Sequence, residues 1–399
     1  MKQTIPLLHK QINLESTAMV RFLREIIAIP SLSGQEKKVA ERIKKEMKQV
    51  GFDTVWLDGM GNVIGQIGKG KTRILLDAHI DTVGVANRSA WKFDPFTGKV
   101  KDGVVYGLGA SDNKGAIASM VYGGKLIKRL GLENEYTLYV VGSVQEEDCD
   151  GLCYQYILGK TDLNPDYVVL GEATNLDIYR GHRGRMEIQV ITSGVSCHGS
   201  APERGINAIY KMNPIIKGIE QLNKTLKSDK FLGKGTVVVT KIECQTASIN
   251  AVPNQCTIYL DRRLTKGETK RTAVNEIKSL IKDKDGKVAV LQYQVPSYTG
   301  YVLPTEKYYP TWVLEENHPL VQAGVKTAQI TRGNNPKISK WIFSTNGIAT
   351  RGMYKIPTIG FGPGNEVDAH TSNDHISIDH LEKAAIFYAL FPAILVKKI

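Results

Sequence analysis

The segment Tyr136–Val144, YTLYVVGSV, is a nearly continuous apolar run that leads directly into the acidic stretch QEED at 145–148. An apolar run without alternation is typical of a strand covered on both faces, as in parallel sheets. Arg73–Ala78 and Tyr167–Leu170 have the same character, and Lys114–Leu130 predicts a helix. Strands that alternate with helices predict an α/β domain with a largely parallel sheet and helices on both faces.

The chain before these strands predicts two amphipathic helices. Leu14–Ile29 has helical spacing of its apolar residues, and Pro30 ends it. Ser33 followed by Glu36 has the spacing of a capping box, which predicts the start of a second helix that Gly51 ends.

The middle of the chain changes pattern, because its strands alternate apolar and polar residues. The predicted order is strand, helix, strand, strand, helix, strand: Arg185–Thr192, Ile206–Leu226, Thr236–Glu243, Cys256–Asp261, Thr269–Ile281 and Lys287–Gln294. This order is the ferredoxin-like pattern. After Pro304 the α/β pattern returns. We therefore predict one domain built from 1–180 and 300–399, with an inserted ferredoxin-like α+β domain at 181–299.

Composition limits the partners that the chain can have. With 399 residues, the chain is long enough for two domains. The formal net charge is +12, but the basic residues are spread along the chain without a nucleic-acid-binding motif, so we predict no nucleic-acid partner and a weak preference for anionic ligands.

Compartment is predicted from the chain start, the apolar stretches and the cysteines. The first residues, MKQTIPLLHKQINLE, lack the apolar core of a signal peptide. The apolar stretch Ala384–Val396 contains Pro392 and is shorter than the about 20 residues of a membrane span, so we predict a C-terminal helix packed on a core and no membrane association. Five cysteines without a zinc-binding spacing predict free thiols in a reducing cytoplasm.

Candidate metal ligands follow or end the apolar strands. They lie in five short segments: DAHIDTV with His79 and Asp81, GLGASDNKG with Asp112, QEED with Glu146 and Glu147, LGEAT with Glu172, and DAHTSND with His370. Sites in open α/β sheets form at the carboxyl ends of the strands. Imidazoles and carboxylates that meet there have the chemistry of metal ligands.

Spacing gives these residues different tasks. His79 and Asp81 are two apart, so on an extended chain both side chains point the same way, and Asp81 can hold the second N–H of a metal-bound His79. Glu146 and Glu147 are adjacent and cannot project identically. One of them can therefore bind a metal while the other stays free as a base. Asp112 lies in a glycine-rich turn that could present it to two ions.

With these motifs in this order, the chain resembles the dinuclear-zinc peptidases and deacylases, which include carboxypeptidase G, aminoacylase, acetylornithine deacetylase and succinyl-diaminopimelate desuccinylase. The resemblance runs from IPSLSGQE (Ile29–Glu36) to His370 and is strongest to a bacterial branch described as a selenium-metabolism-linked hydrolase. It implies hydrolysis of an amide bond in a small carboxylate-bearing substrate, either an N-acyl amino acid or a small peptide. The same machinery could cleave a ureide or carbamoyl nitrogen, and a non-catalytic metal-binding relative is the third alternative.

The resemblance also implies the cofactor. Asp112 would bridge two divalent cations, zinc in most relatives, with cobalt or manganese as alternatives. His79 and Glu172 would complete one ion, and Glu147 and His370 the other. A cis peptide bond is implied at Asp112–Asn113.

The same resemblance assigns the remaining residues of the site. Glu146 would be the general base, and Asp81 would support His79. His198, in the motif SCHGS, would reach into the active site of a partner subunit and stabilise the oxyanion, which implies a homodimer formed through the inserted domain. Asn250 and Arg263 would bind the substrate, often through its carboxylate; the D-x-R spacing selects Arg263 over its neighbour Arg262.

Four positions differ from patterns common in the family or distinguish its branches. Leu108 lies where many members have arginine, and Asn346 where many have aspartate, which puts substrate contacts near Asn346 in doubt. Asp148 is followed by Cys149 and Asp150 where relatives have a glycine immediately. Glu172 favours acylases and carboxypeptidases, because the aminopeptidases of the family tend to have aspartate there.

Overall fold

The computed structural model describes residues 4–133, 135–282 and 286–397. The helices are α1 (Thr4–Ile27), α2 (Lys37–Gln49), α3 (Gly115–Leu130), α4 (Leu152–Lys160), α5 (Ala208–Thr225), α6 (Lys270–Ser279), α7 (Pro319–Arg332) and α8 (Ile378–Leu395). The first strands are β1 (Thr54–Leu57), β2 (Val63–Ile67), β3 (Thr72–His79), β4 (Lys99–Lys101), β5 (Val104–Tyr106), β6 (Tyr136–Ser143), β7 (Tyr167–Leu170), β8 (Ile178–His182), β9 (Gly184–Ser193), β10 (Ser228–Asp229) and β11 (Gly233–Lys234). The later strands are β12 (Thr236–Gln245), β13 (Gln255–Leu264), β14 (Lys287–Val290), β15 (Gln292–Tyr293), β16 (Thr305–Glu306), β17 (Tyr308–Tyr309), β18 (Trp312–Val313), β19 (Ile338–Trp341), β20 (Thr358–Gly360) and β21 (His375–Ser377).

The larger sheet has nine strands within the described residues, in the order β1-β2-β6-β3-β7-β20-β8-β18, with β19 also paired to β8. The central strands β6, β3, β7 and β20 are parallel. At the edges, β2 pairs antiparallel with β6, and β8 pairs antiparallel with β20. The predicted α/β fold with a largely parallel sheet is confirmed. Because the parallel strands end at one edge, that edge gathers the loops that follow them.

The apolar runs are covered because helices pack on the sheet. In β6, only Tyr139 is partly exposed. Almost every residue of α8 from Ala384 onward is buried, and α8 packs against α3. The helices approach closely at Gly123, where a Cβ atom would lie 3.0 Å from the main-chain oxygen of Ala385. The predicted C-terminal helix packed on a core is confirmed. Within the described ranges, none of the helices is both long and apolar enough to cross a membrane.

The smaller sheet has five described strands in the order β12-β13-β9-β14, with β17 also paired to β9. Its pairings are antiparallel, and together with α5 and α6 they form the predicted ferredoxin-like unit. Met186, Ile188 and Val190 of β9 lie in a hydrophobic cluster separate from that of the larger sheet. Arg185 and Glu187, which alternate with them, lie on the opposite face. The boundaries at 181 and 299 stay predictions.

Two local features differ from the sequence-based expectations. The capping box at α2 is absent: Ser33 Oγ donates to Asp81 instead, and Glu36 accepts from the main-chain N–H groups of Gly34 and Gln145. The strands β8, β18 and β19 were not predicted, because they are short and their strand conformation depends on neighbours distant in sequence.

Gly360 provides a test of how tightly the larger sheet packs. A Cβ atom at this position of β20 would overlap the buried ring of Trp341. We expect Gly360→Ala to lower the free energy of unfolding by about 1–3 kcal/mol, because overpacking a dense core forces neighbours to shift. Denaturant unfolding measures this. Gly84→Ala is the matched control, since Gly84 is exposed and its nearest neighbour would lie 3.9 Å away. Equal stability of the two variants would contradict the expectation.

Candidate metal centre and active site

The first group of candidate ligands lies where β3 and β7 end. His79 is the last residue of β3, and Glu172 comes two residues after β7. His79 Nε2 lies 2.9 Å from Asp112 Oδ1 and 3.7 Å from Glu172 Oε1. His79 and Glu172 are buried, and Asp112 is partly buried. The structure thus brings together three of the predicted ligands.

The second group shares Asp112 with the first. His370 Nε2 lies 2.9 Å from Glu147 Oε2 and 3.3 Å from Asp112 Oδ2. One carboxylate oxygen of Asp112 therefore faces each imidazole. Within each group the potential ligand atoms all lie within 4.8 Å of one another, so a single ion could contact all three residues. Asp112 is therefore common to both groups.

The loop that presents Asp112 is fixed by Asp374. Gly109, with φ 85°, turns the chain, and the Asp112–Asn113 peptide bond is cis, which confirms the prediction. The carboxylate of Asp374 accepts the N–H groups of Gly109 at 2.6 Å and Ser111 at 2.8 Å. Sequence reasoning missed Asp374, although it lies four residues after His370 in the same motif. It ties the segment carrying one imidazole to the loop of the shared carboxylate.

Asp81 contacts several groups besides His79. Its carboxylate accepts the Ser33 hydroxyl at 2.6 Å and the N–H groups of Glu147 at 3.1 Å and Glu146 at 3.3 Å. The Nδ1 atom of His79 lies 3.0 Å from the main-chain oxygen of Asp81 and 3.4 Å from its carboxylate. The shorter contact with His79 is therefore through the carbonyl, because the carboxylate is held by the turn that carries the two glutamates.

Charge crowding in the site shifts its pKa values. Burial, and then the charge of Glu172, raises the pKa of Glu146. Burial and the charge of Asp112 raise the pKa of Glu147. Hydrogen bonds to Asp112 and Glu147 raise the pKa of His370 to about 10. Burial opposes ionisation of Asp112, but the hydrogen bonds from His370 and His79 outweigh it and hold the pKa of Asp112 below its usual range.

These residues fit divalent cations. Among the described residues, Glu146 Oε1 and Glu147 Oε1 are buried without a hydrogen-bond partner. Buried carboxylate oxygens require a compensating charge or donor. Protons held between the imidazoles and the carboxylates supply part of this compensating charge, and metal binding would displace those protons. The mixed oxygen and nitrogen donors suit zinc, cobalt or manganese.

The two groups border a cavity of about 360 Å³. Its lining consists of His79, Asp112, Glu146, Glu147, Asp150, Glu172, Arg185, Arg263, Phe343, Ser344, Glu366, Ala369 and His370. Arg263 faces this cavity, whereas Arg262 is fully buried and paired with Glu268 at 2.5 Å and Glu276 at 3.0 Å. Only Arg263 of the two is therefore placed to meet a ligand. Asp150 and Arg185 also line the cavity, which their sequence context did not indicate.

Residues 75–393 match the model of Peptidase family M20/M25/M40. The chain belongs to this family. It is 51% identical over 376 residues to the uncharacterized protein YgeY of Escherichia coli strain K12, covering 94% of this chain and 93% of that one. It is 26% identical over 367 residues to acetylornithine deacetylase of Vibrio campbellii, covering 88% and 90%.

Solved M20 structures share the fold. The M20 metallo-carboxypeptidase Sso-CP2 of Sulfolobus solfataricus has a TM-score of 0.74 at 19% identity, over 96% of this chain and 99% of that chain. The Bacillus subtilis YXEP protein, a dinuclear metal-binding peptidase, has a TM-score of 0.72 at 15% identity, over 97% and 100%. The chain is thus an M20 metallohydrolase of the peptidase and deacylase type, acting on amide bonds.

Two predicted residues of this M20 chain lie outside the cavity. His198 and Asn250 are exposed, and their segments are joined by the Gly199 N–H donating to Asn250 O at 2.6 Å. Neither lines the cavity beside His79. They form a pair on the surface of the ferredoxin-like unit.

Asn346 is structural. It is buried, and its amide donates to Asp77 Oδ2 at 2.9 Å and Ser143 Oγ at 3.2 Å. Its Oδ1 accepts the Gly151 N–H at 2.8 Å. Asn346 does not line the cavity. The side chain therefore joins β3, β6 and the loop before α4, and the departure at this position lies outside the cavity lining.

Asp374 offers a test of the loop that presents Asp112. We expect Asp374→Asn to weaken metal affinity by about 10–100-fold, because an amide cannot accept both N–H groups and outer residues orient the ligands. Chelator competition followed by metal analysis measures this. Asp379→Asn is the matched control, because Asp379 is exposed and forms a surface ion pair with Lys383. Unchanged affinity in Asp374→Asn, or equal loss in both variants, would show that Asp374 does not position the ligands.

Proposed function

We propose that the chain is a dinuclear-metal-dependent hydrolase that cleaves an amide bond in a small carboxylate-bearing substrate, either an N-acyl amino acid or a small peptide. The proposal depends on one observation: the two oxygens of Asp112 face two separate imidazole–carboxylate groups, at 2.9 Å from His79 and 3.3 Å from His370. An ordinary buried ion pair does not require this shared arrangement.

The proposed ligands are His79, Asp112 and Glu172 for one cation and Asp112, Glu147 and His370 for the other. We infer zinc as the native metal, with cobalt or manganese as alternatives. Two such cations supply Lewis acidity and lower the pKa of a bound water toward neutrality.

Glu146 is proposed as the general base. It is buried, lines the cavity and is adjacent to the proposed ligand Glu147. Its Oε1 is buried and has no hydrogen-bond partner among the described residues, so it still needs a donor, which the attacking water would supply. Glu146 takes a proton from the attacking water and delivers it to the leaving nitrogen. The raised pKa of Glu146, caused first by burial, suits a group that must hold that proton between the two steps.

Arg263 is proposed to bind the substrate carboxylate. Asp261 holds its guanidinium through contacts of 2.7 Å at Nε and 3.0 Å at Nη2. This orientation fixes the plane of the guanidinium, which can bind a carboxylate through paired N–H groups. We propose that Asn250 contacts the same substrate and that His198 stabilises the oxyanion, both from a partner subunit.

A homodimer formed through the ferredoxin-like unit is supported by the surface of β12. This strand lies at the edge of its sheet, and its residues from Thr240 to Gln245 are exposed. A long exposed edge strand invites pairing with another chain. Apolar side chains nearby are also exposed, including Ile249 at 98% and Tyr210 at 76%. We further propose a cytoplasmic location, which agrees with five free thiols.

Glu146→Gln tests the proposed base. We expect hydrolysis of N-acyl amino acids to fall by at least about 100-fold, because general-base catalysis typically contributes 10²–10⁴-fold. Metal content should stay near about two ions per chain, as in dinuclear sites. Asp148→Asn, on the same loop but outside the cavity lining, is the control and should keep activity. Loss of metal in Glu146→Gln, or unchanged turnover, would refute the assigned role.

Mixing two inactive variants tests the dimer. Glu146→Ala and His198→Ala chains should each be inactive, and their mixture should recover about a quarter of wild-type activity, because random pairing gives half heterodimers with one complete site each. Native mass spectrometry verifies exchange. As a control, a chain that carries both substitutions should not restore activity when it is mixed with either single variant. No recovery despite verified exchange would place His198 outside the partner's active site.

A further inference from the structure

Arg185 lies beside Arg263 on the cavity wall. The two residues are direct partners in the antiparallel pairing of β9 with β13, so both side chains lie on the same face of the sheet. Both line the cavity that contains the proposed metal ligands. Like charges directly opposite one another destabilise a sheet unless other groups compensate. The compensating groups therefore indicate what this wall is built to bind.

The two guanidiniums are compensated differently. Arg263 has two hydrogen bonds to Asp261. Arg185 Nη2 lies 3.4 Å from Glu187 Oε1 and 3.7 Å from Asp150 Oδ2, both longer than an ordinary charge-assisted hydrogen bond. The guanidinium carbon of Arg185 lies 4.6 Å from the centre of the Tyr309 ring, which holds it by a cation–π contact. Arg185 is thus held in place while its ion pairs remain loose.

Asp150 brings the opposite charge to the same wall. It comes from the loop before α4, is 4% exposed and lines the cavity. Its Oδ2 accepts the hydroxyl of Ser344 at 2.5 Å, which fixes the carboxylate. This is the loop where Asp148, Cys149 and Asp150 follow the glutamate pair in place of an immediate glycine. The departure from the family pattern therefore places a carboxylate opposite Arg185.

We call Asp150, Arg185 and Ser344 the mixed-charge wall. The ion pairs around this wall contain equal numbers of basic and acidic side chains: Arg185, Arg263 and Lys307, and Asp150, Asp261 and Glu187. Lys307 Nζ lies 3.0 Å from Glu187. A ligand with only a carboxylate would meet Asp150 unfavourably, and a ligand with only an ammonium would meet Arg185 unfavourably. A group that carries both charges would satisfy both.

We propose that the mixed-charge wall binds a zwitterionic amino-acid head, with the carboxylate on Arg185 beside its strand partner Arg263 and the ammonium on Asp150. This inference rests on the proposed function and specifies its substrate class: an amide that keeps a free α-ammonium and α-carboxylate, such as a diamino acid acylated on its side chain. A cavity of about 360 Å³ suits a molecule of that size.

Binding to metal-loaded Glu146→Gln enzyme tests the charge requirement without turnover. The probes are Nε-acetyl-lysine, with both head charges; Nα,Nε-diacetyl-lysine, with the carboxylate only; and Nε-acetyl-lysine methyl ester, with the ammonium only. The ornithine analogues form a second, shorter set. We expect the zwitterion of at least one set to bind about tenfold or more tightly than both of its single-charge analogues, as measured by calorimetry.

Variants assign the preference to the wall. In the same background, Asp150→Asn should remove the tighter binding of the zwitterion relative to the diacetyl compound. Arg185→Gln should reduce its tighter binding relative to the ester, because Arg263 remains as the other carboxylate partner. Asp148→Asn and Arg183→Gln are matched controls, because these residues lie nearby in sequence but do not line the cavity. They should keep both preferences. Rescue of carboxylate preference by Arg185→Lys would support a charge contact.

The proposal would be overturned by equal affinities within both sets, by tighter binding of a single-charge analogue, or by no binding of either zwitterion. Equal effects in the control variants would overturn it as well. The outcome is separable from that of the proposed function. Zwitterion preference without turnover by the wild-type enzyme would reject the hydrolase proposal alone. Turnover of N-acyl compounds without zwitterion preference would reject the mixed-charge wall alone.

Discussion

The carboxylate of Asp112 lies between two imidazoles, and the arrangement of the site depends on that shared contact. His79 and His370 belong to segments almost three hundred residues apart, and each contacts a different oxygen of the same side chain. Such a contact holds only if the loop of Asp112 is rigid. The Asp374 carboxylate provides this by accepting two of its N–H groups. Six acidic side chains line this cavity, and their crowding requires protons or cations to offset the charge.

The sheet explains why these segments meet. Three neighbouring parallel strands, β6, β3 and β7, end at one edge and deliver the two glutamates of QEED, His79 and Glu172. The turn after β6 is then held by the carboxylate of Asp81, which fixes Glu146 and Glu147 in different orientations. One structural acid thereby separates two chemically identical neighbours into a candidate ligand and a candidate base. The ferredoxin-like unit closes the opposite wall with Arg185 and Arg263.

Much of the fold and of the candidate site was predictable from the sequence, because it depends on residues close together in the chain. The apolar run of β6, the period of α3 and the spacing of His79 to Asp81 are fixed by a few consecutive residues. The features that escaped prediction are set by contacts between distant segments. The hydroxyl of Ser344 holds the Asp150 carboxylate beside the cavity, and the register of β9 with β13 places Arg185 opposite Arg263. Ser33 looked like a helix cap, whose hydroxyl oxygen would accept a main-chain N–H group of the helix start, but its hydroxyl donates to the buried carboxylate of Asp81 instead.

The position of β20 has a consequence for synthesis on the ribosome. This strand, near the end of the chain, lies between β7 and β8 in the interior of the larger sheet, and α8 then covers α3. The sheet formed by the earlier strands therefore stays incomplete, with apolar surface exposed, until almost the whole polypeptide has emerged. The ferredoxin-like unit has its own hydrophobic cluster and can fold sooner. Nascent chains of this protein thus carry a folded middle and an incomplete flank, which is the stage at which chaperones protect a polypeptide from aggregation.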